Sequence, residues 1–372
     1  MSNTALFINY CGIPGGAERR FARTFLAIQG KNKNVFLIIN KHGREALEKK
    51  GITLGKKNIL QTDSTKEKKE KILDKILTLA STWLIIKKNK IHHVHYPVDP
   101  SIYTFAHSFL VRILNVSYSL SIVDSSRVSK NDLSFLQKII WKRSIKKASR
   151  LDILSDGIHA NITKIFGKLP SWEISPCSFT DYSKSHKGST RRDFNFVMMS
   201  RFTQGKGYEL LFDALEYIKK NRPLDINKIG KIGLFGDGPL NTYIAKRVQD
   251  NKEFKIQISY TDNPFEVFSK SNFFLSLQKS ENYPSQSILE AMSCGAIVIA
   301  TDVGETYKIV PDGIGYRVNP TPKSLALTMI DFADKHDNRA EMSNASIDFV
   351  KKTHTISRFS TYLDNFLRDA SR

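Results

Sequence analysis

The chain has 372 residues, of which 41% are hydrophobic, and it carries a formal net charge of +21. This length favours two domains of about 150 residues, each able to bury its own core. Three cysteines without framework spacing and the lack of any apolar run near roughly 20 residues exclude a disulfide-stapled secreted domain and a membrane span, so we expect a cytoplasmic protein.

The positive charge is concentrated in the first half of the chain. Residues 1–190 hold 32 Lys and Arg against 14 Asp and Glu, a net +18, whereas residues 191–372 hold 25 against 22, a net +3. The first half is therefore expected to face an anionic partner.

Short apolar runs alternate with helical patterns along the chain, which is typical of βαβ units and parallel sheets. The sequence therefore predicts an α/β protein. Strands are expected at Ala5–Asn9, Val35–Ile39, His92–Tyr96, Tyr118–Val123, Leu151–Leu154, Asn195–Met199, Lys231–Phe235, Ile256–Ile258, Asn272–Leu277 and Ala296–Ala300.

A polar stretch at 181–192 divides these elements into two sets and is predicted to be a linker. The first domain then spans 1–180 and the second 193–350. Residues 351–372 contain a helix that we expect to dock on a domain, and a return to the first domain is one way to do so. Its apolar stripe consists of Phe359, Leu363, Phe366 and Leu367.

Two helical patterns in the basic half combine apolar and cationic residues. One lies within 66–90 and places Ile76, Leu79 and Trp83 on one stripe. The other lies within 134–150 and mixes Phe135 and Trp141 with the cations Lys138, Lys142, Arg143, Lys146 and Lys147. Such helices either lie on anionic lipid or pack their apolar faces on the domain's own sheet.

In the second domain, Arg201 and Lys206 follow the strand Phe194–Met199, and Gly205 and Gly207 flank the lysine before a helix with one apolar face. Two cations and a helix N-terminus at one place can hold a diphosphate without a metal. Solvated loop charges are the plain alternative.

The next strand is followed by Gly236-Asp237-Gly238-Pro239. Glycines allow close approach of the backbone to a ligand, and Pro239 suits the first turn of a helix. A simple tight turn is equally consistent with this pattern.

The segment 280–295 carries the strongest pattern. Pro284 is placed for a helix first turn, and Gly295 is placed as the cap at its end. The segment 283–286 is expected to point its free backbone amides into the crevice at the strand ends. Pro284 has no amide hydrogen, so the donors are those of Tyr283, Ser285 and Gln286.

Glu290 lies on that helix among apolar neighbours, where a ribose diol would supply the two hydroxyl donors that such a carboxylate needs. Glu281 precedes the helix, near the expected position of a sugar ring. Gly304, after the following strand, is expected to allow backbone approach to the ligand.

In the first domain, Gly15 and Gly16 belong to GIPGGAERR between the first strand and the first helix. A glycine-rich turn of this kind aims helix amides at an anion. Taken alone, such a loop is a common chance occurrence.

As an ordered set these segments resemble the retaining family-4 glycosyltransferases, which have the GT-B fold of two facing Rossmann-like domains with a cleft between them. The resemblance covers GGAER and the segments SRFTQGKG, GDGP, ENYPSQSILEAMSCG, VIATDVGE and IVPDGIGYRV. It implies that Arg201 and Lys206 hold the donor diphosphate, that Glu290 binds ribose, and that Glu281 with the amides after it holds the transferred sugar.

Two departures from the family pattern matter. The family's paired glutamates are normally separated by seven residues, but eight lie between Glu281 and Glu290, so either the loop has one extra residue or Asn282 fills the first acidic position. Many relatives also carry a His before the Asp at the end of a first-domain strand, where this chain has Val123. Asp124 and His95 then remain as candidates on the acceptor side, and a strand-end histidine without a chemical role is the more common alternative for His95.

The resemblance thus implies a hexosyltransferase without a cofactor. No cluster of His, Asp or Cys has metal-ligand spacing, which predicts a metal-independent enzyme. The partners expected are a nucleoside-diphosphate-sugar donor, a saccharide or lipid-linked acceptor of cell-surface glycan synthesis, and the anionic inner surface of the cell membrane. A nucleotide-sugar epimerase or a phosphorylase on the same scaffold is the alternative. A nucleic-acid-binding protein would share the sequence pI of 9.7, but it would have no use for Glu290 or the diphosphate-type loops.

Overall fold

The computed structural model describes residues 3–8, 16–62, 72–97, 99–123, 133–176, 179–180, 192–280, 283, 285–334 and 339–371. Two compact units divide the chain. The first contains Met1–Cys177 and Ile356–Arg372, and the second contains Ser178–Thr355. Gly15, Asp124, Glu281, Asn282, Pro284 and residues 181–191 of the expected linker lie outside the described residues.

The first unit is built on a seven-stranded sheet. Its strands are β1 (Asn3–Ile8), β2 (Val35–Asn40), β3 (Ile59–Thr62), β4 (Ile91–Tyr96), β5 (Ser117–Ile122), β6 (Arg150–Ile153) and β7 (Ser171–Ile174). They pair in parallel in the order β3-β2-β1-β4-β5-β6-β7. Its helices are α1 (Gly16–Gln29), α2 (Lys41–Lys49), α3 (Ile72–Lys88), α4 (Ile102–Leu114), α5 (Phe135–Lys147) and α6 (Asp156–Phe166).

The second unit has a six-stranded sheet of β8 (Phe194–Met199), β9 (Lys231–Phe235), β10 (Lys255–Ser259), β11 (Ser271–Ser276), β12 (Ile297–Thr301) and β13 (Gly315–Val318). All pairings are parallel, in the order β10-β9-β8-β11-β12-β13. Its helices are α7 (Tyr208–Asn221), α8 (Ile226–Ile229), α9 (Asn241–Asp250), α10 (Pro264–Ser269), α11 (Gln286–Ser293), α12 (Thr306–Ile309), α13 (Pro322–Asp334) and α14 (Arg339–Thr353), with a short 3₁₀ turn at Pro223–Asp225.

Alternating side chains of the central strands of the second sheet bury both of its faces. On β11, Phe273 and Leu275 join the apolar cluster under α7 and α13, whereas Phe274 joins the cluster under α10, α11 and α14. A strand buried on both sides is apolar at successive positions, and such a continuous apolar run is the pattern from which β11 was predicted.

Strand order reverses between β8 and β11 in this sheet. The chain moves from β8 outward to β9 and β10, then returns to the other side of β8 to form β11. Because right-handed crossovers in opposite directions lie on opposite faces, α7 and α11 cover opposite faces of the sheet. Their N-termini therefore flank the same strand ends, which is where open α/β sheets bind ligands.

The last helix, α15 (Ile356–Ala370), belongs to the first unit and packs on α1 and β5. The predicted apolar stripe is confirmed, since Phe359, Leu363, Phe366 and Leu367 are all buried. Asn32 Nδ2 also donates a hydrogen bond to Asp364 Oδ1 at 2.8 Å.

All ten predicted strands are confirmed to within one or two residues at their described ends, and Asn9, the predicted end of the first, lies outside the described residues. The three strands that the sequence pattern missed, β3, β7 and β13, are edge strands of four residues each. An edge strand pairs on one side only, so it needs no long apolar run, and each of these contains exposed or half-buried positions.

Buried histidines should make the stability of the first unit depend on pH. Burial lowers the pKa of His93 to about 3 and that of His107 to about 4, because the charged imidazole loses its hydration. In the unfolded chain these groups titrate near pH 6.5, so the unfolded state binds more protons below that value. Their contribution to stability is present above about pH 6.5 and is lost as the pH falls toward the folded-state pKa values.

We expect the free energy of unfolding to decrease between about pH 7 and pH 5, by up to about 1.4 kcal/mol per pH unit for each buried histidine. His93→Gln should give a shallower slope than the parent and than His92→Gln, which changes a side chain on the exposed side of the same strand. Urea titrations followed by tryptophan fluorescence measure this, since Trp83, Trp141 and Trp172 all lie in the first unit. Asp152 in the same unit is a buried carboxyl whose pKa is raised by burial. Both variants retain it, so its titration cancels in the comparison. Equal slopes for His93→Gln and the parent would contradict the expectation.

Candidate functional site

The loop from Ser200 to Gly207 connects β8 to α7 at the point where the strand order reverses. Gly207 is the N-cap of α7 and has a φ of +90°. A Cβ at this position would lie 1.9 Å from the carbonyl oxygen of Leu277, just beyond β11. The backbone amide of Lys279 also donates to the carbonyl of Gly205 at 3.4 Å. The loop after β8 is thus packed directly on the segment after β11, and only glycine fits at the contact.

Arg201 and Lys206 lie close enough in this loop to interact electrostatically. The pKa of Lys206 is lowered because its ammonium group is partly buried and because the positive charge of Arg201 is near it. Neither cation forms an ion pair or a hydrogen bond with any carboxylate among the described residues. Two such cations beside the free amides of a helix N-terminus form a site that favours an anion.

The turn after β9 is held on the same loop. The amide of Phe202 donates to Asp237 O at 3.0 Å, and the amide of Leu240 donates to Phe202 O at 2.9 Å. A Cβ at Gly236 would lie 2.1 Å from Ser200 O. The close packing of these two loops therefore explains why position 236 is a glycine, and the approach of a ligand is not needed to explain it. The expected position of Pro239 in a helix first turn is wrong, because α9 begins two residues later at Asn241.

The loop before α11 caps that helix. Ser285 is buried, its hydroxyl accepts from the amide of Ile288 at 3.4 Å, and it contacts Ser287 Oγ at 3.1 Å. At the other end, Gly295 has a φ of +79°, and its amide donates to Met292 O at 3.0 Å. The predicted cap at Gly295 is confirmed, and the side chain of Ser285 serves the helix itself.

Glu290 is half-buried on α11, one turn beyond Gln286. The amide nitrogen of Gln286 donates to Glu290 Oε1 at 3.3 Å. The predicted core positions Ile288, Leu289 and Met292 are buried, which confirms the orientation of the helix. Gln286 therefore helps to orient the carboxylate that the sequence assigned to a ribose.

The segment after β12 reaches the loop before α11 through a lysine that the sequence analysis missed. Lys308 Nζ lies 2.7 Å from Glu305 Oε2 and 5.8 Å from the ring centre of Tyr283. Gly304 precedes this pair with a φ of +53°. Thr301, at the end of β12, donates from its hydroxyl to Gln278 O at 2.5 Å. This hydrogen bond joins the ends of β11 and β12. The spacing of Glu305 and Lys308 at i and i+3 was the pattern in the sequence from which this ion pair could have been predicted.

In the first unit, Gly16 is the first residue of α1, as the loop pattern predicts. The assignment of His95 to the acceptor side is wrong. His95 is fully buried, with Nδ1 2.9 Å from Ser119 Oγ and Nε2 3.0 Å from Ser121 Oγ. Burial lowers its pKa well below the usual value, so this imidazole stays neutral inside the sheet layer and has no access to a substrate.

Among the described residues, no group of three or more His, Cys, Asp or Glu has the arrangement of a metal site. The same residues include no helix that is both long and apolar enough to cross a membrane.

Residues 181–349 match the family described as Glycosyl transferases group 1. The capsular polysaccharide biosynthesis glycosyltransferase CapH of Staphylococcus aureus is 26% identical over 235 residues, which cover 60% of this chain and 63% of that protein. An uncharacterized glycosyltransferase of Methanocaldococcus jannaschii is 28% identical over 166 residues, covering 43% and 44%. The matched segment is therefore less than two thirds of either relative's length.

Among solved structures, Anabaena HepE in complex with UDP is similar over 98% of this chain and 99% of that one, with a TM-score of 0.76 and 14% identity. The same protein in complex with UDP-glucose gives a TM-score of 0.75 at 13% identity. With two parallel α/β sheets of seven and six strands, the chain has the GT-B fold of two Rossmann-like units.

The contact between Gly207 and Leu277 predicts a sharp difference between two glycines of one loop. Gly207→Ala should unfold or displace the start of α7, because the added Cβ meets a backbone carbonyl. Gly205→Ala is the matched control: its φ is +81°, but nothing lies within 4 Å of the new atom, so only the backbone cost of about 1–2 kcal/mol applies. Thermal unfolding followed by circular dichroism should rank the variants in this order; equal losses would argue against the close contact.

Proposed function

We propose that this chain is a glycosyltransferase that moves a hexose-type sugar from a nucleoside-diphosphate sugar to a saccharide or lipid-linked saccharide acceptor. The observation that carries the proposal is the pair of cations, Arg201 and Lys206, at the N-terminus of α7. The family match over residues 181–349, which include both cations, supports it.

The reaction breaks the bond between the anomeric carbon of the sugar and the diphosphate. Its transition state resembles an oxocarbenium ion, and negative charge develops on the departing diphosphate. Lys206 is already partly desolvated beside a like charge, so the two attractive interactions of an anion between it and Arg201 offset their repulsion. The amides of α7 add their partial positive charge at the same place.

Glu290 is proposed to bind the ribose hydroxyls of the donor. Its carboxylate is half-buried on α11, and Gln286 Nε2 donates to it at 3.3 Å and so orients it. Tyr283, held near Lys308, is proposed to line the sugar side of the same site. Glu281 and Asn282 both remain candidates for the first acidic position.

A UDP-sugar is the first donor to test, since the similar HepE structures contain UDP and UDP-glucose. The similarity to CapH, whose name assigns it to capsular polysaccharide biosynthesis, supports a cell-surface glycan as the product. We further propose that the anomeric configuration is retained and that no metal takes part, because Arg201, Lys206 and the helix amides already supply positive charge for the diphosphate.

Arg201→Ala and Lys206→Ala should each lower kcat for sugar transfer about 100-fold or more, because each removes a charge that acts on the leaving group. Lys246→Ala, at an exposed position of α9, is the control and should keep full activity. Transfer is measured as acceptor-dependent release of UDP, and circular dichroism checks the fold. Full activity in both loop variants would remove the proposed mechanism.

Transfer should continue in the presence of excess EDTA, and the product should have the same anomeric configuration as the donor. Nuclear magnetic resonance of the product with and without chelator measures both. A loss of turnover that added Mg²⁺ or Mn²⁺ restores would contradict metal independence. Conversion of the donor sugar without an acceptor would instead indicate an epimerase.

A further inference from the structure

The helix α4 of the first unit buries polar side chains beside Tyr103 and exposes large apolar side chains to solvent. Ile102, Phe109 and Ile113 lie on one face, and their exposed fractions are 39%, 51% and 76%. The opposite face buries Thr104 and His107. A surface helix that packs on a sheet normally has the reverse arrangement, so the exposed face of α4 requires an explanation.

Polar contacts hold α4 in this orientation. His107 contacts Tyr96 Oη and Val116 O, both at 2.9 Å, and Thr104 donates to Ser144 Oγ of α5 at 2.9 Å. Each inward polar group therefore has a partner, and rotation of the helix would break these bonds. The outward apolar face is a consequence of a specific buried network.

The neighbouring helix α5 continues the same surface and adds charge. Its exposed face carries Phe135 and Leu136 in the first turn, exposed by 77% and 70%, and Lys142, Lys146 and Lys147 toward its end. Arg143 joins the two helices: its guanidinium lies 3.4 Å from the ring centre of Phe109 and donates to Ser108 Oγ at 2.8 Å.

On the other side of α4, α3 also exposes apolar residues. Trp83 of α3 contacts the ring of His107 with centroids 4.8 Å apart, which makes the two helices neighbours. Outward from this contact, Leu84 is exposed by 70%, and Ile76 and Leu77 are about half exposed. We name the exposed sides of α3, α4 and α5 together the outer helix face.

The charge of these three helices is almost entirely positive. Their sequences contain nine Lys and Arg against one Asp, namely Lys75, Lys87, Lys88, Arg112, Lys138, Lys142, Arg143, Lys146 and Lys147 against Asp74. A second copy of this chain would bring the same excess of cations to the interface, so self-association through this face is electrostatically unfavourable. An anionic lipid surface accepts both the apolar side chains and the cations.

We propose that the outer helix face docks on an anionic lipid bilayer. Phe109, Ile113, Phe135 and Leu136 enter the boundary between headgroups and acyl chains, while the lysines of α5 lie against lipid phosphates. No described helix is long and apolar enough to span the bilayer, so the helices lie in its surface. The cytoplasmic leaflet of a cell membrane carries the anionic lipids, so it is the surface proposed for docking. This proposal stands independently of the proposed sugar transfer.

Flotation with phosphatidylcholine vesicles, with and without phosphatidylglycerol, tests the proposal on the full chain without any sugar substrate. The parent protein should float with the anionic vesicles, and added salt should weaken its binding without abolishing it. Phe135→Ser with Leu136→Ser should lower the partition coefficient by about tenfold for each side chain, since each loses its apolar burial. Lys142→Glu with Lys146→Glu should lower it at least about fivefold for each charge and remove the preference for the anionic vesicles.

Leu224→Ser is the matched control, because Leu224 is 92% exposed in the second unit and should have no part in docking. Circular dichroism shows whether each variant is folded. The proposal is overturned if the parent protein does not float, or if the Phe135 and Leu136 variant binds as well as the control. The proposal is also overturned if the parent protein forms a dimer on a sizing column, the Phe135 and Leu136 variant is a monomer, and neither binds vesicles. That result would assign the outer helix face to a second copy of the chain.

Discussion

The close approach of two backbones at the carboxyl edge of the second sheet is the constraint on which the candidate site depends. Position 207 accepts only a residue without a Cβ, because Leu277 O occupies the space and φ is positive. The same residue caps α7, so the contact also sets the direction of the first helical amides. Packing of the loop, and not attraction to a carboxylate, therefore places Lys206 beside Arg201. A site that is already assembled without its anion needs little reorganisation when one binds.

Patterns within one element were sufficient to predict much of the second unit. The double-sided burial of β11, the apolar face of α11 and the cap at Gly295 each follow from residues a few positions apart. What the sequence could not show is how loops from different strands meet. Lys308 belongs to the site region only because the segment after β12 folds back to Tyr283, and the need for glycine at 236 depends on where Ser200 O lies.

His95 shows the same limit in the first unit. On its own strand it stands one residue before the carboxyl end, which is the edge where ligands bind in parallel sheets. Its neighbours on β5 are Ser119 and Ser121, however, and they bond both ring nitrogens. The serines alternate along β5 and so present hydroxyls to one face only, where they satisfy the imidazoles of β4. A buried polar layer between adjacent strands is visible only after the strands are paired, and the outward apolar face of α4 was hidden for the same reason.

The C-terminal helix completes the first unit around a buried charge. Tyr362 Oη donates to Asp152 Oδ1 at 2.8 Å and Ser121 Oγ donates to Oδ2 at 2.5 Å, while burial raises the pKa of Asp152 and the charge of Arg20 opposes that shift. The Arg20 guanidinium lies 5.0 Å from the ring centre of Phe359, so α1 and α15 meet beside this carboxylate. Because α1 starts at Gly16, the last helix of the chain supports the helix that follows the glycine-rich segment in the sequence. The second unit is continuous in sequence, whereas the first needs residues from both ends of the chain; its contacts are therefore formed at a large sequence separation, which slows folding. During synthesis the second unit can bury its core before the first has all of its own.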